Sequence, residues 1–556
     1  MKWAPLLLLL IAVPVSFGST LHSVPQISSL APVSVAPGAS AFTLTVNGAN
    51  FVRGATVMWN GSARVTTLVS STQLTAKILA TDVATAGTAN VQVMNGISGQ
   101  PLSNVVYYPI VVPITQVGFA QTNTLSVNGD PFVMTTADMN HDGILDLVLC
   151  RELSAKVSVL LGQGGGKFGT PNDYLIQGHC VSLVLGDFNG DGNLDVAASN
   201  AFQLNVLLGK GDGTLTQPVT YNSGGHDPQG LVTGDFNQDG KLDLAAANFD
   251  VNTISVLLGN GDGTFQAHVD YAVDASPMGL TTDDFNRDGI LDLAVANKTS
   301  NEVEILLGVG DGTFGTPAPF PAGTNAACLA AADFNGDGKL DLAVSDLNPI
   351  TYPVSILLGN GDGTFQTRKG FPAGGTGTPQ VADLNGDGIL DIVMVNQTGP
   401  LVLLGKGDGS FQKAMAFSTI SANAVTIADF NGDGRLDLAV GGYASGQVPI
   451  LVQTTLSLTP ASIDFGRQKV GTGSTMMATL LNFGPTDVTI SKIGLGGPNA
   501  KDYAITNTCS TTLTAGSTCT ISITFTPSAK GGRSATLTVT DSAPGPQTVS
   551  LFGVGT

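Results

Sequence analysis

Seven nine-residue stretches hold most of the chemistry in this chain. Each places Asp at position 1, Asn at 3, Asp at 5, Gly at 6 and Asp at 9. The ligand-bearing residues are Asp138, Asn140, Asp142 and Asp146; Asp187, Asn189, Asp191 and Asp195; Asp235, Asn237, Asp239 and Asp243; Asp284, Asn286, Asp288 and Asp292; Asp333, Asn335, Asp337 and Asp341; Asp383, Asn385, Asp387 and Asp391; and Asp429, Asn431, Asp433 and Asp437. Hard cations such as Ca²⁺ take six to eight oxygen ligands at about 2.3–2.6 Å in flexible geometry. Carboxylate or amide oxygens at positions 1, 3 and 5, the backbone carbonyl at 7 and a carboxylate at 9 make such a set on one short loop. Glycine at 6 permits the sharp turn that brings the later ligands back. Up to seven Ca²⁺ ions are therefore expected. The competing account is that the Asp and Asn residues only form Asx turns, but three carboxylates crowded into nine residues repel one another if left empty. A helical calcium hand needs an acidic ligand at position 12. Here that position is Ala198, Ala246, Val295 or another apolar residue, on an alternating strand.

The elements that must hold these loops follow from their spacing. The loops open at residues 138, 187, 235, 284, 333, 383 and 429, a period near 49. After each comes an alternating apolar run such as 242–248, a second run such as 254–258, a Gly-rich turn such as 259–265, a third run, and a fourth such as 230–234 that leads into the next loop. Alternation of period two bounded by Asn, Asp and Gly turns argues for strands. Four short strands per repeat describe one blade of a β-propeller, and seven blades are enough to close a ring. Asp212, Asp262, Asp311, Asp362 and Asp408 sit in Asp-Gly dipeptides and read as turn formers. The seventh unit runs out at 449–452 without its Gly-rich turn, while 117–120 look like the missing piece. The N-terminal strand of the region is predicted to complete the last blade and so remove an open edge.

The repeated Asp-Phe-Asn-Gly-Asp-Gly-x-Leu-Asp loops and Gly-Asn-Gly-Asp-Gly-Thr-Phe turns resemble the FG-GAP/VCBS repeats of integrin-α-type propellers over residues 114–453. Residues 24–113, with the run through Phe51 and the Gly-Ala-Thr-Val-x-Trp-Asn-Gly run containing Trp59, are similar to an IPT/TIG immunoglobulin-like domain; Trp59 reads as core or turn packing. Residues 454–556, with runs 458–466 and 519–527, resemble a Hydin-like (choice-of-anchor D) immunoglobulin-like domain. The fold class expected is all-β: a seven-bladed β-propeller flanked by two immunoglobulin-like β-sandwiches. Cys509 and Cys519 lie close together in a Thr-rich, β-like segment and are predicted to pair. The pairing of Cys150, Cys180 and Cys328 stays open.

The net charge of −19 and a pI near 4.4 make nucleic acid a poor partner. Three Asp in each of seven loops account for half of the 42 acidic residues, so the acidity speaks mainly about cations. Residues 1–18 read as a secretory signal, with Lys2 as the basic start, an apolar run from Leu6 to Val13 and small residues Ser16 and Gly18. No later segment is apolar over the length of a membrane span. A protein that is secreted or otherwise extracellular, free or held at a cell surface, is expected. Catalysis has little support: His22, His141, His179, His226 and His268 are scattered, and neither HExxH nor Gly-x-Ser-x-Gly occurs. Gly162 to Lys167 resembles a phosphate loop only superficially, lacking the Ser or Thr after Lys. The leading expectation is a calcium-binding adhesion or recognition protein whose propeller offers a binding face to an extracellular protein or glycan. The alternative is a lectin of the same propeller type, for which Tyr221 and Tyr271 are the aromatic candidates.

Overall fold

A computed structural model describes residues 23–96, 102–347, 353–417, 419–460, 462–542 and 547–556. The signal segment expected at 1–18 lies outside the described residues. Among the described residues only two short 3₁₀ turns interrupt an all-β chain.

Each repeat folds as one four-stranded antiparallel sheet, and the described residues contain seven of them in the repeat region. We number these blades 1 to 7 by their innermost strands: Pro131–Ala137, Ser182–Gly186, Pro228–Gly234, Pro277–Asp283, Ala326–Ala332, Thr376–Ala382 and Ala422–Ala428. In blade 3 the remaining strands are Asp243–Asn248, Thr253–Leu257 and Val269–Ala272. The second strand of that blade is buried along its whole length. A strand covered on both faces by neighbouring blades reads as a nearly continuous apolar run, and Leu244, Ala245, Ala246 and Ala247 supply it.

The seam between blades is built from the Gly-rich turns. The N–H of Gly263 in blade 3 donates to the carbonyl of Phe188 in blade 2 (3.0 Å), and Gly312 and Gly363 repeat this bond to Phe236 and Phe285 (both 3.1 Å). Gly166 of blade 1 makes the same bond to Phe430 of blade 7 (2.8 Å), which closes the ring. The residue that ends each turn, Phe in every blade that has the turn except blade 2, where it is Leu215, enters the preceding blade. Phe265 meets Phe188 and Tyr221, each at 5.5 Å and edge to face. Phe314 does the same with Phe236 and Tyr271, at 5.5 and 5.6 Å. Tyr221 and Tyr271, the aromatic candidates for a sugar pocket, are thus committed to seam packing, a geometry favoured by the ring quadrupole.

Blade 7 takes its outer strand from the start of the region: Gly118–Ser126 pairs antiparallel with Gln447–Thr454. The exchange expected from the truncated last repeat is present. Cys509 and Cys519 are bonded as expected. A second disulfide joins Cys150 to Cys180 and ties blade 1 to the connection leading into blade 2. Cys328 is free.

The N-terminal domain is a sandwich of two four-stranded sheets, and the C-terminal domain pairs a four-stranded with a five-stranded sheet. Trp59 lies in the N-terminal core, 1% exposed and 5.2 Å from the Tyr108 ring.

Candidate metal centres and the two faces of the ring

Each Asp loop links the innermost strand of a blade to its second strand, so all seven project from one face of the ring, together with the Gly-rich turns. Their internal geometry is the same seven times. The N–H of position 5 lies between two acceptors, Oδ1 of position 1 and Oδ1 of position 3; in blade 2 these are Asp187 and Asn189, both 3.0 Å from the Asp191 nitrogen. The N–H of position 6 donates to the other oxygen of position 1, as Gly192 does to Asp187 Oδ2 (2.9 Å). The N–H of position 7 donates to position 5, as Asn193 does to Asp191 Oδ1 (2.8 Å). The Oδ1 atoms of positions 1 and 3 therefore converge on the position-5 N–H, while Oδ2 of position 1 takes that of position 6.

Two positions adopt left-handed backbone. Position 6 is always Gly, with φ between +78° and +91°. Position 4 is also left-handed, and three loops place a non-glycine there: His141 (φ 59°), Gln238 (57°) and Arg287 (65°). The sequence gives no warning of this, because position 4 varies in residue type.

The position-9 aspartates open the second strands and are fully buried: Asp146, Asp195, Asp243, Asp292, Asp341, Asp391 and Asp437. Each closes its own loop. Asp195 Oδ2 accepts the N–H of Phe188 (2.8 Å) and its Oδ1 accepts that of Gly209 (2.7 Å). In blade 7, which lacks the Gly-rich turn, Gln453 donates to Asp437 Oδ1 instead (2.7 Å). Burial pushes these carboxyls up, to about 7 for Asp195, Asp243 and Asp341 and about 8 for Asp292. Their two N–H donors pull the other way, and the carboxylates at positions 1 and 5 add to the rise. Asp235 and Asp284, at position 1, are raised by burial to about 6 and about 7.

Among the described residues, no three His, Cys, Asp or Glu side chains form a metal-holding group by themselves. The amide oxygen at position 3 and the carbonyl at position 7 are needed to complete a shell. The donor set is all oxygen and carries three mutually repelling carboxylates, which fits a hard divalent cation. In the Gly-rich turns, Asp212, Asp262, Asp311, Asp362 and Asp408 accept the N–H and hydroxyl of the Thr or Ser two residues on, at 2.5–3.0 Å. They are turn formers.

The N-terminal domain is seated on the face that carries the Asp loops. It meets loops of blades 3, 4, 6 and 7: Asn50 N–H donates to the Gly289 carbonyl (3.2 Å), Gln238 Nε2 to Asn50 Oδ1 (2.9 Å), the Ser34 hydroxyl to Asp383 Oδ2 (2.5 Å) and Arg435 Nη2 to the Val112 carbonyl (3.4 Å). The opposite face carries the hairpins between second and third strands and the connections between blades. It holds a cleft of about 450 Å³ across blades 1 to 3, lined by Glu152, His179, Phe202, His226, Asp227 and Asp250 among others. Phe202 is 60% exposed there, edge-on to the His226 ring at 5.6 Å. Sequence reasoning did not single out this cleft, because its residues sit in the variable hairpins and share no motif.

The model of the FG-GAP-like repeat matches residues 138–198, 187–246, 235–295, 284–344, 348–394 and 383–440, together more than half of the chain. The chain belongs to the FG-GAP-like repeat family. The IPT/TIG domain matches 25–108, and the family described as abnormal spindle-like microcephaly-associated, ASPM-SPD-2-Hydin, matches 452–549. No curated protein matches the chain closely enough to count as a relative. Solved structures similar to it include an Agrocybe aegerita lectin studied for recognition of non-reducing terminal N-acetylglucosamine, at 18% identity and TM-score 0.39, covering 64% of this chain and 95% of that one. An auxiliary nutrient binding protein from Bacteroides thetaiotaomicron VPI-5482 is similar at 10% identity and TM-score 0.38, covering 77% and 98%. Among the described residues no helix is long and apolar enough to cross a membrane.

Proposed function

We propose that this chain is an extracellular, calcium-binding recognition protein that takes its ligand on the ring face opposite the Asp loops. The observation that carries the reading is the seating of the N-terminal domain on the loop face, which leaves the other face, with its cleft across blades 1 to 3, as the open one. The all-oxygen loops are assigned to structure: they bind Ca²⁺ and stiffen the blades. Two disulfides support an oxidising compartment.

A site with a dissociation constant near 0.1 mM adds ~1.4 kcal/mol to the folded state at 1 mM Ca²⁺. Several such sites raise the melting temperature of metal-stripped protein, and chelator reverses the rise. A melting curve indifferent to both would end the calcium reading.

A second reading, glycan binding at the same cleft, is favoured by the exposed Phe202 ring beside the carboxylates of Asp227 and Asp250 and the amide of Gln229. An aromatic face with polar acceptors around it suits a sugar ring. On a glycan array, saturable binding that Phe202→Ala abolishes is the expected outcome of this reading. A blank array leaves a protein ligand.

A further inference from the structure

At three loops the N-terminal domain does more than cover. Val24 N–H donates to Asp235 Oδ2 (2.7 Å), the Ser34 hydroxyl to Asp383 Oδ2 (2.5 Å) and the Thr88 hydroxyl to Asp429 Oδ2 (3.1 Å). All three acceptors are position-1 oxygens, in blades 3, 6 and 7. By contrast, the hydrogen bonds to Asp138, Asp187 and Asp333 come from their own loops.

The oxygen chosen is the informative detail. In every loop Oδ1 of position 1 shares the position-5 N–H with the amide oxygen of position 3, and in blades 6 and 7 it also accepts the position-4 N–H. The N-terminal domain touches the other oxygen, Oδ2, which already accepts the position-6 N–H. A carboxylate oxygen has room for two donors. The domain thus adds the second donor to Oδ2, while Oδ1 accepts one loop N–H in Asp235 and two, from positions 4 and 5, in Asp383 and Asp429. Outer partners of this kind hold a ligand carboxylate in orientation, and losing them weakens metal binding about 10–100-fold.

We propose that Val24, Ser34 and Thr88 are outer-sphere positioning groups for the cation sites of blades 3, 6 and 7, so that metal binding and seating of the N-terminal domain form one linked equilibrium. This rests on the calcium reading of the loops. Linkage is reciprocal: by whatever factor the seated domain strengthens those sites, the bound cation strengthens the seating.

The test uses the full chain. Calorimetric titration with CaCl₂ compares the native protein with the double variant Ser34→Ala, Thr88→Val and with Ser34→Thr, which keeps a hydroxyl. Two of the sites are expected to weaken about 10-fold in the double variant, with the others unchanged, and Ser34→Thr to behave as the native chain. Amide hydrogen exchange of the native protein gives a readout that does not depend on any variant. The seam amides of Val24 and Asn50 should exchange several-fold more slowly in 1 mM CaCl₂ than in chelator. Identical titrations for native and variant, with seam exchange unmoved by calcium, would overturn the linkage while leaving the metal sites standing. A native chain that takes up no calcium at millimolar concentration overturns the metal reading first, and the linkage with it.

Discussion

At the scale of single residues, the nine-residue loop divides its work between two kinds of aspartate. Positions 1 and 5 accept hydrogen bonds from their own loop, whereas position 9 is buried and holds two backbone N–H groups that have no other partner. These roles separate under mutation. Asp195→Ala leaves the N–H groups of Phe188 and Gly209 unpaired in the interior. Each such loss costs ~1–3 kcal/mol, so the variant is expected to be destabilised already in chelator, and to lose the calcium increment as well. Asp191→Ala is expected to be nearly silent in chelator and to lose only the increment that calcium adds. Denaturant midpoints measured with and without calcium check both. The ligand residues themselves were legible in the sequence, because seven copies of one local pattern declare their chemistry without reference to the rest of the chain. The second role of position 9 was not, since its donors lie seven residues back and one strand ahead. Ser34 and Thr88 were equally hidden: in sequence they are ordinary sandwich residues, and only docking places them on Asp383 and Asp429.

At the scale of elements, the blade is a small sheet with little core of its own, and its stability comes from the seams. Five seams couple a Gly-rich turn to the loop of the preceding blade by one backbone hydrogen bond and one inserted Phe ring; between blades 1 and 2 Leu215 stands in the place of the Phe, and blade 7 has no such turn. The seam between blades 1 and 2 has an additional tie, the Cys150–Cys180 disulfide, closing a separation of 30 residues. A loop of that length corresponds to about 3–4 kcal/mol in the chain-entropy estimate. Replacing both cysteines by Ala is expected to lower the unfolding midpoint of the oxidised protein, and adding reductant to the native chain should reproduce most of the shift. Strand count and turn positions could be read from the alternation of apolar residues and the Asp-Gly signals. Pairing of the three scattered cysteines could not, because it depends on which strand ends face each other across a seam. Tyr221 and Tyr271 show the same limit. Their strand position was visible, but the Phe rings that occupy their faces come from the next repeat.

At the scale of the whole molecule, closure of the ring decides how the chain avoids an exposed edge. Gly118–Ser126 covers the third strand of blade 7 through a register that runs from Gly118↔Thr454 to Gln447↔Ser126. A chain lacking 118–126 would present the Gln447–Thr454 edge to solvent, and exposed edges recruit other strands. Light scattering of that deletion is expected to show stronger concentration-dependent association than that of the intact chain. The same strand pair has a mechanical meaning. The chain enters the ring at Gly118 and leaves it at Thr454, and these residues are direct partners at one end of an antiparallel pair. Tension between the N- and C-terminal domains would therefore bypass the body of the ring and concentrate on that corner. It would open the pair one hydrogen bond at a time, like a zipper, without shearing all of them together. The hydrogen bonds by which the N-terminal domain grips blades 3, 4, 6 and 7 lie ahead of that corner in the load path, so the docked domain acts as the strain relief of the ring.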